Sequence, residues 1–141
     1  MTALNSSLPL LDYTFELLFN ISFEKTLIIA VQHLLPTTYS LFQTLFKMGL
    51  QRENLAVLGK CYSTDPHVYN SLLKEGVLVS PLSSYFNSHL SYDLQFDLSV
   101  ASFVDSIIDK WDFASFEKVI ILDDGGHLLK YIGEMAIKIA A

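Results

Sequence analysis

The sequence predicts an α/β domain of three layers, a mainly parallel sheet of about four strands covered by helices on both faces. Three observations carry that prediction. Short apolar runs rich in β-branched residues alternate four times with segments of helical period. Each run ends abruptly in polar or turn-forming residues, as strands buried on both faces do. Hydrophobic residues make up 51% of the chain and charged residues only 17%, below the ~25% typical of soluble domains.

The elements follow in order. Residues 8–19 carry apolar positions 11, 15, 18 and 19 on one face, and Pro9 suits a first helical turn. This reads as a helical appendage (1–25) ahead of a core spanning 26–141, all within one domain. Residues 26–31 (Thr-Leu-Ile-Ile-Ala-Val) form the first buried strand. It leads through Gln32 and His33 to Pro36, Thr37 and Thr38, which suit a helix start. That helix turns Tyr39, Phe42, Leu45 and Phe46 inward and stops at Gly49. Residues 54–59 form the second strand. Thr64 or Asp65 then caps a helix opened by Pro66, with Val68, Leu72 and Leu73 inward and Gly76 as its end. Residues 77–79 are a third, short strand, and 82–90 a polar, aromatic loop. A longer helix over 91–111 faces inward through Leu94, Leu98, Phe103, Val104, Ile107 and Ile108.

The fourth strand is the stretch Lys118-Val-Ile-Ile-Leu-Asp-Asp-Gly-Gly126, which reads as buried on both faces. Asp123 and Asp124 fall at its carboxyl end, and Gly125 and Gly126 permit a sharp turn and a close backbone approach. Leu128, Leu129, Ile132, Met135, Ala136 and Ile139 continue at helical spacing. The strand order expected for such alternation is 3-2-1-4, which sets strands one and four side by side where the order reverses. His33 and Asp124 then meet at adjacent carboxyl ends, with Ser63 and Thr64 as the neighbouring wall. Ligands of open α/β sheets bind in that crevice. The chain closes on a helix with no capping signal, so a natural protein extending past Ala141 is expected.

Charge and cysteine content exclude several classes. A net charge of −6 without a basic cluster argues against nucleic acid, which is held through Lys and Arg on phosphates. No apolar run approaches the ~18–20 residues that span a bilayer, and the first ten residues lack the positive region of a signal peptide. The single cysteine, Cys61, excludes an internal disulfide and fits a reducing cytoplasm. Four scattered histidines with no second cysteine make no structural zinc pattern, so no metal is expected. The low charged fraction fits a sheet covered on both faces, or apolar surface buried by a homodimer partner or a second domain.

The candidate site residues each admit more than one use. Asp123 and Asp124 can bind sugar hydroxyls, act as a general base or hold a metal, or else one caps the next helix while the other is solvated. Asp124 ranks ahead of Asp123. His33 can transfer a proton or polarise a ligand. Ser63 and Thr64 can line a polar ligand, although capping is their commoner use. Neither a Ser-His-Asp order nor a nucleophile elbow supports hydrolysis. The aromatics Tyr85, Phe86 and Tyr92 suit an interface, a lid or ordinary partial burial, and His67, His89 and His127 a surface or capping place.

Three blocks together resemble the substrate-binding portion of S-adenosylhomocysteine hydrolases, a Rossmann-like domain. Ile121-Leu-Asp-Asp-Gly-Gly126 resembles that family's Ile-Leu-Asp-Asp-Gly-Gly. Lys60-Cys-Tyr-Ser-Thr-Asp-Pro-His67 resembles its Asn-Ile-Phe-Ser-Thr-Gln-Asp-His, and His33-Leu-Leu-Pro-Thr-Thr-Tyr-Ser40 its His-Met-Thr-Val-Glu-Thr. The resemblance covers roughly residues 28–132. It implies that His33 and Asp124 are catalytic-type residues handling ribose and proton transfer, and that Asp123, Ser63, Thr64 and Thr37 line a substrate. Leu35 and Thr37 stand where the family's threonine and glutamate meet adenine, so a different small, nucleoside-like ligand is expected. The family's dinucleotide domain lies beyond this chain, and no Gly-x-Gly-x-x-Gly occurs here. The 141 residues are therefore expected to use no cofactor and not to catalyse that reaction alone; NAD would enter only with a downstream domain. Two other readings compete: a non-catalytic interaction or dimerisation domain, and a phosphoribosyltransferase-like domain. The latter needs a Thr/Ser-Gly loop for the 5′-phosphate, where this chain has His127-Leu-Leu.

Overall fold

A computed structural model of the chain describes residues 8–140. Its sheet contains β1 (Thr26–Gln32), β2 (Leu55–Gly59), β3 (Leu78–Val79) and β4 (Lys118–Asp123). All pairings are parallel and the order is β3-β2-β1-β4, as the strand–helix alternation predicts. The helices are α1 (Pro9–Leu17), α2 (Pro36–Lys47), α3 (Pro66–Lys74), α4 (Tyr92–Lys110) and α5 (His127–Ala140).

The three layers follow from the two-residue period of the strands. Leu27, Ile29 and Val31 of β1, with Ala56 and Leu58 of β2, pack under Phe96, Val100 and Phe103 of α4 and Leu128 of α5. Ile28 and Ala30, with Leu55 and Val57, pack on the other face against Phe42 of α2 and Val68 and Leu72 of α3. β1 and β2 are buried on both faces, which is why they read as unbroken apolar runs. The Oγ of the fully buried Ser83 accepts the Gly59 N–H at 2.8 Å and ties off the end of β2.

Several details differ from the sequence reading. β4 is the outer strand, so Lys118 and Val119 are exposed and Ile120–Asp123 only half-buried, rather than covered on both faces. On its open side Val119, Ile121, Ile108, Phe113 and Met135 line part of an apolar hollow of about 340 Å³. The inward face of α4 is Phe96, Val100, Phe103, Val104 and Ile107, and Leu94, Leu98 and Ile108 turn outward. Two polar residues share the buried stripe. Gln95 donates to the Tyr85 carbonyl and accepts the Asn87 N–H, both at 2.6 Å, pinning the aromatic loop to the helix. Ser99 Oγ donates to the Gln95 carbonyl at 2.9 Å. That loop begins as a short 3₁₀ turn, Pro81–Ser84, and Tyr85 and Phe86 are exposed. α1 has no buried residue, Leu18 and Phe19 lie outside it and exposed, and residues 1–7 fall outside the described part. In α5, Leu128 is buried and Leu129 exposed; the Ile139 side chain lies outside the description.

A polar knot joins α2 to α3. The Tyr39 hydroxyl donates to Glu75 Oε1, and Gln43 Nε2 and Arg52 Nε donate to Oε2 at 2.9 and 3.4 Å. Burial and then the Glu75 carboxylate push the Tyr39 hydroxyl up to about 12 from 10.0. A tyrosine pKa raised by folding favours the neutral form. Its stabilisation is therefore complete below pH 10 and is lost as pH rises from 10 toward 12. Urea melts across that window should show a fall in stability that Tyr39→Phe lacks; identical pH profiles for the two proteins would refute the assignment.

Candidate functional site

His33, Lys60 and Asp124 are each the first residue beyond a strand, and the three strands are neighbours. β1 ends at Gln32, β2 at Gly59 and β4 at Asp123. The ladder continues one step past these ends. Lys60 N–H donates to the Gln32 carbonyl at 3.2 Å and Asp124 N–H to the Val31 carbonyl at 2.9 Å. Strands ~4.8 Å apart that stop within one residue of a common level, Gly59 beside Gln32 and Asp123 beside Val31, bring the next three side chains together. The structure does so at the reversal point of the sheet.

Asp124 is the hub. Its Oδ2 lies 3.2 Å from His33 Nε2 and 3.5 Å from Lys60 Nζ. The Lys60 side chain is only 10% exposed against 46% for Asp124, so the lysine supports the carboxylate from beneath. A buried ammonium needs a partner, and among the described residues Asp124 is the ion partner it has. On the far side of the imidazole, His33 Nδ1 lies 2.5 Å from Ser63 Oγ. With Asp124 ionised, Nε2 carries the proton donated to it, and Nδ1 accepts from Ser63. Both ring nitrogens are thereby engaged. The groups left to meet a ligand are Ser63 Oγ and Asp124 Oδ1.

The wall is aromatic. The Tyr62 ring, 61% exposed, meets His33 edge-on at 5.5 Å and Tyr92 at 5.1 Å. Tyr92 stacks on Phe96, which meets the His127 ring at 5.0 Å. Burial, with Tyr62 beside it, pushes the Tyr92 hydroxyl above its ordinary range and keeps it neutral. His127 Nδ1 lies 3.8 Å from Asp97 Oδ1, so it belongs to this wall rather than to a bare surface.

The remaining candidates have other places. Asp123 Oδ2 accepts the Leu129 N–H at 2.9 Å and so serves the start of α5; its Oδ1 is buried without a hydrogen-bond partner. Thr64 Oγ1 donates to the Lys60 carbonyl at 3.1 Å. The cap of α3 is Asp65, whose Oδ1 accepts from His67 and Val68 N–H. Neither Ser63 nor Thr64 caps the helix, because Pro66 fixes its first position one residue later. Thr37 lies exposed in the first turn of α2, outside the His33–Asp124 cluster, and Leu35 precedes that helix. Thr38 holds the turn, its Oγ1 donating to the His33 carbonyl at 2.6 Å. Among the described residues no group of three His, Cys, Asp or Glu is arranged to hold a metal ion. Nor is there a helix long and apolar enough to cross a membrane.

At the first strand–helix turn Leu34 is fully buried, and its side chain reaches within 2.8 Å of where a Gly59 Cβ would stand, so Gly59 leaves no room for a side chain. Lys60 is the residue that sequence reasoning passed over. Its signal was its place, first after a strand, like His33 and Asp124.

With this geometry in view, two curated relatives stand out. Both are uncharacterized proteins of Mycobacterium tuberculosis, from strains CDC 1551 / Oshkosh and H37Rv. Each is 38% identical to the chain over 112 residues, 79% of the chain and 22% of the relative. The chain spans about a fifth of the length of these relatives. No protein-family model and no solved structure matches it.

Gly125 and Gly126 have φ of +103° and +76°, conformations that L side chains rarely adopt. A Cβ on Gly125 would stand 3.4 Å from Lys60 Nζ and from His127 Cδ2. Gly125→Ala should therefore cost about 1–3 kcal/mol in denaturant melts and shift the NMR signals of His33 and His127. Unchanged stability and unchanged signals would show that the turn does not hold the site.

Proposed function

We propose that this crevice binds a small, hydroxyl-bearing ligand of nucleoside type, as the substrate domain of an S-adenosylhomocysteine hydrolase-like protein does. The observation that carries the reading is Asp124. One carboxylate oxygen is held by His33 and Lys60, while the half-exposed side chain keeps a second oxygen for a ligand donor. Ribose-like hydroxyls donate well to a fixed carboxylate, and such hydrogen bonds are among the stronger ones. The exposed Tyr62 ring beside it offers an apolar face to a sugar or base. Lys60 stands where the resembled family has asparagine, and Leu35 and Thr37 where it reads adenine. The ligand is therefore related to adenosine rather than identical with it. The redox step of that family would depend on NAD held by another domain, and no step here is routed through it.

A second reading has its own observation. Val119, Ile108 and Phe113 are exposed beside the open edge of β4. A patch of this kind suits a homodimer partner or a second domain, and the domain would then serve interaction rather than binding of a small molecule.

A thermal-shift and NMR screen with adenosine, other nucleosides and phosphoribosyl pyrophosphate separates the readings. A nucleoside should perturb His33 and Tyr62 signals, and Asp124→Asn should weaken its binding about ten-fold or more, the ~1.5–3 kcal/mol of a hydrogen bond to a charged group. A flat response to every compound favours the interaction reading. Response to phosphoribosyl pyrophosphate alone favours the phosphoribosyltransferase-like one.

A further inference from the structure

The geometry points to a second chemistry at the same crevice: Ser63 is a nucleophile activated by His33 and Asp124, able to accept an acyl group from small carboxylic esters. The chain order His33, Ser63, Asp124 gives no hint of it, but the fold lines the three up. Ser63 Oγ is 2.5 Å from His33 Nδ1, and His33 Nε2 is 3.2 Å from Asp124 Oδ2. A nucleophile within reach of a base, with the base oriented by a third group, is the recurring arrangement of covalent catalysis. It is recognised by geometry and roles rather than by sequence position. Here the nucleophile meets Nδ1 and the carboxylate Nε2, and either imidazole nitrogen can take the proton. Ser63 Oγ also lies 3.3 Å from the Lys60 carbonyl; the shorter contact directs its proton to His33.

A second, independent observation concerns the oxyanion. Ser63 closes the 3₁₀ turn Cys61–Ser63, and the next N–H, that of Thr64, has only the Cys61 carbonyl of that turn beside it and makes no hydrogen bond of good geometry among the described residues. The N–H of the residue after the nucleophile is one donor of the oxyanion hole in α/β-hydrolases. Ser63 and Thr64 are both half-buried, so a small ester can reach them.

The step balances without an oxidant or cofactor. Ser63 Oγ forms a bond to the acyl carbon as its proton passes to His33 Nδ1, and Asp124 stabilises the imidazolium through Nε2. The carbon–alkoxy bond then breaks, and the departing alcohol takes the proton back from Nδ1. Water then attacks the acyl carbon and gives a proton to Nδ1; the Ser63 Oγ–carbon bond breaks, Oγ takes that proton back, and the acid leaves. Polyol esters suit the site, since Asp124 keeps an oxygen for a neighbouring hydroxyl. The inference uses the crevice but not its nucleoside reading, because an acyl or phosphonyl group reaches Ser63 whether or not nucleosides bind.

The test is covalent labelling. A fluorophosphonate reacts by Ser63 Oγ attacking phosphorus as fluoride leaves, with the same proton transfer. Intact-mass and peptide analysis should find one phosphonyl group, on Ser63, in the folded chain. The urea-unfolded chain and Ser63→Ala should lack it. Asp124→Asn should label about 10²-fold more slowly or worse, as loss of a positioned base demands. Should that variant fail to fold, the comparison of folded with unfolded wild type still decides. Absence of label on Ser63, or equal labelling of folded and unfolded chain, overturns the proposal. Nucleoside binding without labelling would refute only this inference, and labelling without nucleoside binding only the reading above.

Discussion

The site depends on one constraint: three adjacent parallel strands end within one residue of a common level. Backbone hydrogen bonds from Lys60 to Gln32 and from Asp124 to Val31 fix that stagger on both sides of β1, with Lys60 level with His33 and Asp124 with Gln32. Side chains belonging to residues 33, 60 and 124 are thereby brought close enough to meet. The apolar faces of β1 and β2, sealed by α2 and α3 beneath and α4 and α5 above, hold the register. A one-residue slip would exchange the two faces of a strand, so packing resists it strongly. The chemistry at the strand ends is a consequence of the core below it.

Within the site, charge decides the arrangement. Asp124 faces one ammonium with a buried stem and one imidazole, and both engage the same oxygen. An isolated buried lysine would be costly, and an unsupported carboxylate would turn toward water. Each holds the other, and His33 is oriented between Asp124 and Ser63. In the ligand-free arrangement both imidazole nitrogens are occupied, one by Ser63 and one by Asp124. That shifts the chemical interest from the histidine toward Ser63 and Asp124, the two ends of the chain of contacts.

Much of this was legible in the sequence, for physical reasons. Buried parallel strands show as apolar runs, and strand–helix alternation restricts the order, so the sheet and the meeting of His33 with Asp124 could both be anticipated. Burial of β4 could not, because a run such as Val119–Leu122 reads alike in an inner and an outer strand. The phase of α4 was obscured by apolar residues on most of its circumference. The inward stripe includes Gln95, whose side-chain amide bonds the preceding loop at Tyr85 and Asn87, and Ser99, whose hydroxyl bonds the Gln95 carbonyl, so apolar periodicity alone does not mark them as inward. Of the two caps open in the sequence, Thr64 and Asp65, the helix uses Asp65, because Pro66 takes its first position. The Ser63–His33 contact joins residues 30 apart and depends on a 3₁₀ turn that no periodicity announces.

The central claim is that His33 is locked between Ser63 and Asp124 rather than turning freely in an open cleft. Long-range ¹H–¹⁵N correlation of the imidazole nitrogens reads this directly. In the neutral ring one tautomer is expected, with the proton on Nε2 and Nδ1 accepting. Ser63→Ala and Asp124→Asn should each disturb that preference. A ring averaging between both tautomers in the wild type, or protonated on Nδ1, would contradict it.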